Sequence, residues 1–412
     1  MRISTLQGFN LGVNRILDAQ ARVNTTQQQV SSGRRVLTPA DDPIAATKIL
    51  QLQQDLAKRD QYDRNMTAAE NRLNLEESTL GSINVALTRV QELTVYAGSG
   101  TLTKTDRQAI SAEIRELESQ LASLFNTRDA GGEYLFGGNK GADAPFEKAE
   151  NGRYVYKGDE GQRFLSIGDS TRIATGDNGK KLFVDVRAAK NTFTTQVNPV
   201  NKGEVSVSAG FVYDEEAYAE LYPDDIIVTF NPESAIDPPG TNITIRRASD
   251  NRVIDGRSEE AYPIGTAIEV AGLSLKINGV PEAGDQVLVK SSPKQSITDT
   301  IFRLREGLDS LEDNPIDADT LDILLEDTLN NLAFAQTSVS EVRSEIGARL
   351  NIVDNARSLS DDVRLISQEV LSELSDVDFA EAVSRLSLES FLLEAAQQSY
   401  STISRLSLFN KL

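Results

Sequence analysis

Acid–base chemistry in this chain falls to its carboxylates, because neither histidine nor cysteine occurs among the 412 residues. Without an imidazole or a thiol there is no Ser-His-Asp triad, no Cys-His pair, no HExxH zinc protease and no ordinary structural zinc site. Two well-spaced carboxylates would still serve a glycoside hydrolase. The 62 acids, however, are scattered along the whole chain and outnumber 42 Lys and Arg, for a formal net charge of −20. Acids spread this way read as a solvated exterior, and their field repels a phosphate backbone. The expectation is a protein that is not an enzyme, with no cofactor, no metal and no nucleic-acid partner.

Three acids stand out by position, and they read as helix caps. Asp42 precedes Pro43, which suits a first helical position, and a carboxylate there accepts the free N–H groups of the first turn. Asp41 beside it is read the same way, and both oppose the positive end of the helix. Asp378 is followed three residues later by Glu381, an aspartate version of the capping box.

The elements that carry these caps are long and amphipathic. Phe9, Ile16, Val23 and Val30 recur at sevens beside Leu6 and Val13, which predicts a helix over residues 3–32 ended by Gly33. From Pro43, Leu52, Met66, Leu73, Leu80 and Leu87 hold one register and Ala69, Ile83 and Val90 another; a helix over 43–97 would be roughly 80 Å long. A third helix carries Ile110, Ile114, Leu117, Leu121 and Leu124.

Between about 140 and 296 the pattern changes to short alternating runs such as Tyr154-Val155-Tyr156, Ile226–Phe230 and Ile243-Thr244-Ile245, with most of the 12 prolines expected in the turns between them. Helical spacing returns with Ile301, Leu304, Leu308 and Leu311, then with a strict heptad of Leu325, Leu332, Val339, Ile346 and Val353. Leu359, Val363, Ile366 and Val370 are expected to continue that stripe. Gly347 within it costs roughly 1 kcal/mol of helix propensity, so another helix is expected to approach closely there. A last helix carries Leu386, Leu393 and Tyr400 in step, with Ala396 and Ile403 beside them.

Long amphipathic helices do not bury their stripes alone. The predicted fold is therefore α+β and multidomain: long N- and C-terminal helices paired as a coiled-coil-like bundle, with a mostly β domain inserted between them. Three regions follow: 1–42 with 368–412 as a terminal helical pair, 43–139 with 297–367 as a helical bundle, and 140–296 as the insertion. No apolar run approaches the roughly 20 residues of a spanning helix, so membrane insertion is not expected. The opening residues carry no apolar h-region, and a place outside the cell would need export without a cleaved signal peptide.

Several motifs share one resemblance. At the start they are Met1-Arg2-Ile3-Ser4-Thr5, Ser31-Ser32-Gly33-Arg34-Arg35-Val36 and Asp41-Asp42-Pro43. Tyr134-Leu135-Phe136-Gly137-Gly138 and Gly279-Val280-Pro281-Glu282-Ala283-Gly284-Asp285 bracket the insertion. Arg343–Arg349, Asp376–Ala382 and the ending Leu406-Ser407-Leu408-Phe409-Asn410-Lys411-Leu412 complete the set. Together they resemble the flagellin superfamily over roughly the first 140 and last 130 residues, nearer to its hook-associated members than to filament flagellins.

The resemblance implies a structural subunit at the hook-filament junction, located on the extracellular bacterial flagellum and exported through the flagellar type III channel. It also implies the partners: further copies in a ring or short helical layer, hook-associated protein 1, flagellin and an export chaperone. A filament subunit and a coiled-coil surface adhesin are the competing readings; an adhesin would need a signal sequence or an anchor. Two terminal helices alone make a thin pair that neighbours would complete. The expected assembly interface is thus Leu6, Phe9, Val13, Ile16, Val23 and Val30 with Leu386, Leu393, Tyr400, Ile403, Leu406 and Leu408.

Overall fold

The computed structural model describes residues 5–149 and 151–409, with the side chains of 5–9, 316 and 403–409 left aside. Its helices are α1 (Thr5–Ser32), α2 (Pro43–Ala97), α3 (Lys104–Phe125), α4 (Glu215–Leu221), α5 (Ile297–Ser310), α6 (Pro315–Ser375) and α7 (Phe379–Phe409). Local chemistry sets their ends. Gly33, at φ 71°, closes α1 in the left-handed conformation that glycine adopts without penalty. Thr103 and Asp106 form a reciprocal capping box on α3, and Ser296 accepts the Asp299 N–H at the start of α5.

The chain divides into two compact units, residues 1–65 with 354–412 and residues 66–353. In the second, Leu73, Leu80 and Leu87 of α2 meet Leu325, Leu332, Val339 and Ile346 of α6 in one buried cluster. Ile114 and Leu121 of α3 and Ile301, Leu304 and Leu308 of α5 join it. Each such side chain contributes about 1.5–3 kcal/mol by leaving water. Leu135 and Phe136, from the glycine-flanked turn after α3, enter the same core beside Phe183, whose ring stacks on Phe125 with centroids 4.2 Å apart.

The β-rich segment opens with two hairpins, β1 (Phe146–Lys148) with β2 (Tyr154–Tyr156) and β3 (Phe164–Ser166) with β4 (Arg172–Ala174). The remaining strands are β5 (Arg187–Val197), β6 (Glu204–Val207), β7 (Phe211–Val212), β8 (Ile226–Phe230), β9 (Asn242–Arg247), β10 (Glu260–Ala261), β11 (Ala267–Val270), β12 (Leu273–Val280) and β13 (Gln286–Lys294). They form an antiparallel five-stranded sheet in the order β10-β9-β8-β13-β5 and a smaller one, β11-β12-β6, with β7 beside β12. Val228 lies opposite both Ile245 and Val287, and these inward residues of alternating strands make a second apolar core.

Two buried polar joints tie strands and helices of this unit together. Arg303 of α5 donates to Thr192 Oγ1 at 2.6 Å and Gln295 Oε1 at 3.0 Å and lies over the Phe193 ring. Burial lowers its pKa to about 10, so it stays charged, held by hydrogen bonds. Glu76 of α2 is fully buried and accepts the Asp177 N–H at 3.0 Å, while Arg349 of α6 grips the Asp177 carboxylate at 2.7 and 3.1 Å. Burial, with the Asp177 charge second, pushes the Glu76 carboxyl up to about 8.

The structure corrects several expectations. Pro293 sits within β13, not in a turn, where the register against β5 shifts between Ser292 and Lys294 and the bulge absorbs the missing donor. The segment Gly279–Asp285 lies before the last strand, so it does not leave the insertion. A Cβ built on Gly347 meets nothing within 4 Å, so among the described residues no helix approaches there. Beyond Val353, Leu359, Ile366 and Val370 are exposed, while Ser360 and Ser367 take the buried places. The heptad continues in position but not in chemistry.

Candidate assembly surface

Helix α1 packs along α7, and small residues set how closely. Gly12, Ala19, Thr26 and Gly33 recur at sevens. Ala19 and Thr26 are buried, and the Cβ position of Gly12 is 2.9 Å from the Tyr400 ring. Thr26 Oγ1 donates to Glu389 Oε2 at 2.7 Å, and Arg385 donates to Gln29 Oε1 at 3.0 Å. Val13, Ile16, Val23 and Val30 on α1 and Leu386, Leu393 and Tyr400 on α7 are half-buried beside this line. The Leu6, Phe9, Ile403, Leu406 and Leu408 side chains lie outside the described residues.

The loop after α1 and the turn before α7 lock this pair at one end. Val377 N–H donates to Gly33 O at 3.0 Å and Arg35 N–H to Ser375 O at 2.7 Å. The Arg35 guanidinium adds a bond to Leu374 O at 3.0 Å and faces Asp42 at 3.3 Å. Two sequence motifs at opposite ends of the chain thus meet through backbone atoms.

Asp42 Oδ1 accepts the Ala45 N–H at 2.9 Å, which holds its carboxyl below the usual range. Asp378 Oδ1 accepts Ala380 N–H at 2.9 Å and Glu381 N–H at 3.2 Å. Asp41 differs: its carboxylate turns back to the Thr38 and Leu37 N–H groups at 2.7 and 3.1 Å, closing the preceding loop and not the helix.

The outward faces are unusually apolar for a solvated surface. On α7, Leu388, Phe391 and Leu392 share one face at helical spacing and are 58%, 66% and 50% exposed. Leu11 and Leu17 are exposed on α1, and Leu359, Leu365 and Ile366 on α6. Large apolar groups grouped in this way mark interaction surfaces. Sequence reading placed Leu359 and Ile366 in the continuing stripe but did not name Leu11, Leu17, Leu365, Leu388, Phe391 or Leu392, which lie off the heptad seams. Among the described residues no group of three metal-ligating acids assembles, and no helix is long and apolar enough to cross a membrane.

Comparison with known proteins gives this surface its context. Residues 3–141 match the bacterial flagellin N-terminal helical region, and residues 329–412 match the C-terminal helical region. Flagellar hook-associated protein 3 of Salmonella typhimurium is 34% identical over 221 residues, covering 54% of this chain and 67% of that one. The chain belongs to the flagellin superfamily, in the hook-associated protein 3 family. The Escherichia coli protein of that name aligns over 99% of both chains at 25% identity. The crystal structure of flagellar hook associated protein-3 from Legionella pneumophila superposes with a TM-score of 0.54 at 27% identity, over 79% of this chain and 98% of that one.

The two matched helical regions contain α1–α3, most of α6 and all of α7, so the half-buried pair and its apolar outer faces lie in family segments. Strands β1–β13 fall between them. The segment Tyr134–Gly138, whose Leu135 and Phe136 anchor in the helical core, marks the end of the first match.

Proposed function

We propose that this chain is a structural subunit of the bacterial flagellum that joins hook to filament, assembling through its terminal helices and carrying out no catalysis. The observation that carries this reading is the end-to-end alignment with a hook-associated protein 3. The exposed apolar side chains Leu11 and Leu17 of α1 and Leu388, Phe391 and Leu392 of α7 support it. In this reading residues 1–42 with 368–412 are the assembly core, 43–139 with 297–367 the bundle, and 140–296 an insertion. The partners are further copies in a ring or short layer, hook-associated protein 1, flagellin and an export chaperone, after secretion without a cleaved signal peptide.

Electron microscopy of a strain lacking this chain tests the proposal: hooks without filaments are expected, with flagellin shed into the medium. Normal filaments would overturn it. A sharper variant is Phe391→Asp, which should leave the melting of the purified chain within about 0.5 kcal/mol of wild type, because the ring is already exposed, yet abolish incorporation at hook tips.

A further inference from the structure

Beyond Val353, α6 carries two seams side by side. The buried one extends the heptad of Ile346 and Val353 into Ser360 and Ser367, next to half-buried Arg357 and Arg364. Ser360 Oγ has no hydrogen-bond partner there. Ion pairs hold this seam to α2, Arg364 to Asp60 at 3.3 Å and Arg357 to Asp63 at 3.8 Å. The second seam is Ala356, Leu359, Val363, Ile366 and Val370, at the alternating steps of three and four that coiled coils use. Yet Leu359 and Ile366 are 65% and 57% exposed. Successive residues stand about 100° apart around a helix, so the seams are separated by little more than a quarter-turn.

The sequence enters the apolar seam by a phase change. Ile346, Leu350, Val353, Ala356 and Leu359 are spaced four, three, three, three; the extra three-residue step is a stammer, which overwinds a coiled coil locally. The helix seen here runs through that point at strict sevens and so buries serine. A buried unpartnered hydroxyl beside exposed leucine and isoleucine is the mark of a packing that another arrangement would improve.

We propose that residues 354–375 of α6 are a two-position switch against residues 43–65 of α2. In the first position, seen here, the polar seam faces α2. In the second, α6 overwinds after Val353 and turns by one residue, placing Leu359, Val363, Ile366 and Val370 against the half-buried Ile49, Leu52 and Leu56 of α2. The turn carries Arg357 and Arg364 outward, where acids of neighbouring copies of this −20 chain would receive them. The polar position keeps Arg357 and Arg364 on the acids of α2, and the apolar one releases them toward a neighbouring copy. That the switch is thrown on assembly rests on the function proposed above; that two positions exist does not.

Because the chain contains no cysteine, single Ser360→Cys and Leu359→Cys variants report the position by maleimide labelling. In the free chain the Leu359→Cys thiol should label about tenfold faster than the Ser360→Cys thiol, following exposure. In hooks carrying the assembled chain the order should reverse. If a neighbour merely covers the apolar seam, both sites label slowly, and that result overturns the switch, as does an unchanged order. A second arm needs no assembly: Ile366→Ser, added to Ser360→Cys, weakens the second position and should slow labelling of the Ser360→Cys thiol in the free chain several-fold. An unchanged rate overturns the two-position equilibrium. Failure of the wild-type chain to reach hook tips would instead overturn the junction function, leaving the free-chain arm to decide the switch.

Discussion

One helix, α6, is buried in two different ways along its length. Between Leu325 and Val353 every seventh residue is a branched aliphatic that is buried, and the seam joins α2, α3 and α5 in a single core. Between Asp354 and Ser375 the same positions hold Ser360 and Ser367, and Leu359, Leu365, Ile366 and Val370 are exposed. The first stretch uses its apolar surface in the fold of the chain itself. The second leaves much of it exposed. Heptad periodicity is equal in the two stretches, so periodicity tells that a helix has a seam but not whose partner fills it.

Truncation should separate the two stretches most sharply. Ile346→Ala removes a fully buried side chain from a closed core and should cost about 2–5 kcal/mol, whereas Leu359→Ala should change stability by about 0.5 kcal/mol or less. Denaturant unfolding of the purified chain, followed by circular dichroism, measures both. Equal losses would show that the exposed seam already stabilises the free chain and would break the contrast.

pH should separate them next. Glu76 has a pKa of about 8 in the folded unit 66–353, against an ordinary value of 4.5. A raised pKa means that the folded state holds a proton the unfolded state releases. The neutral carboxyl therefore supports folding fully below pH 4.5, and that support is lost as pH rises through 8. Glu76→Gln keeps the neutral form at every pH, so relative to wild type it should gain on the order of a few kcal/mol between about pH 5 and 9. Melting curves across this range check it; a parallel loss in both proteins would remove Glu76 as the cause.

Much of this architecture was legible in the residues. Seven-residue spacing located α1, α2, α6 and α7, Asp42 and Asp378 lie at helix starts, and alternation found β2, β8 and β9. Sheet order was not legible, because pairing β8 with β13 and β13 with β5 joins segments far apart in sequence. The meeting of Gly33 with Val377 was hidden for the same reason. Asp41 was misread because a carboxylate beside a helix start serves a preceding loop equally well. The outward apolar residues of α7 escaped notice because a heptad count records the seam and discards what lies off it.

The smallest expected effects come from two glycines that face different surroundings. Replacing a helical glycine by alanine gains about 0.5–1 kcal/mol from backbone entropy when the new methyl has room. At Gly347 the methyl has open space, so Gly347→Ala should stabilise the free chain by that amount and raise its melting temperature by a few degrees. At Gly12 the methyl would stand 2.9 Å from Tyr400 Cδ2 in the α1–α7 pair, so the ring must shift and the same propensity gain should be cancelled or reversed. Opposite signs are thus expected from one chemical change. A gain at both positions would mean that the terminal pair is loose enough to absorb a methyl. If Gly347→Ala stabilises the free chain but lowers incorporation at hook tips, the open face of α6 is where a neighbouring copy lies, and the glycine is retained for that approach rather than for the fold.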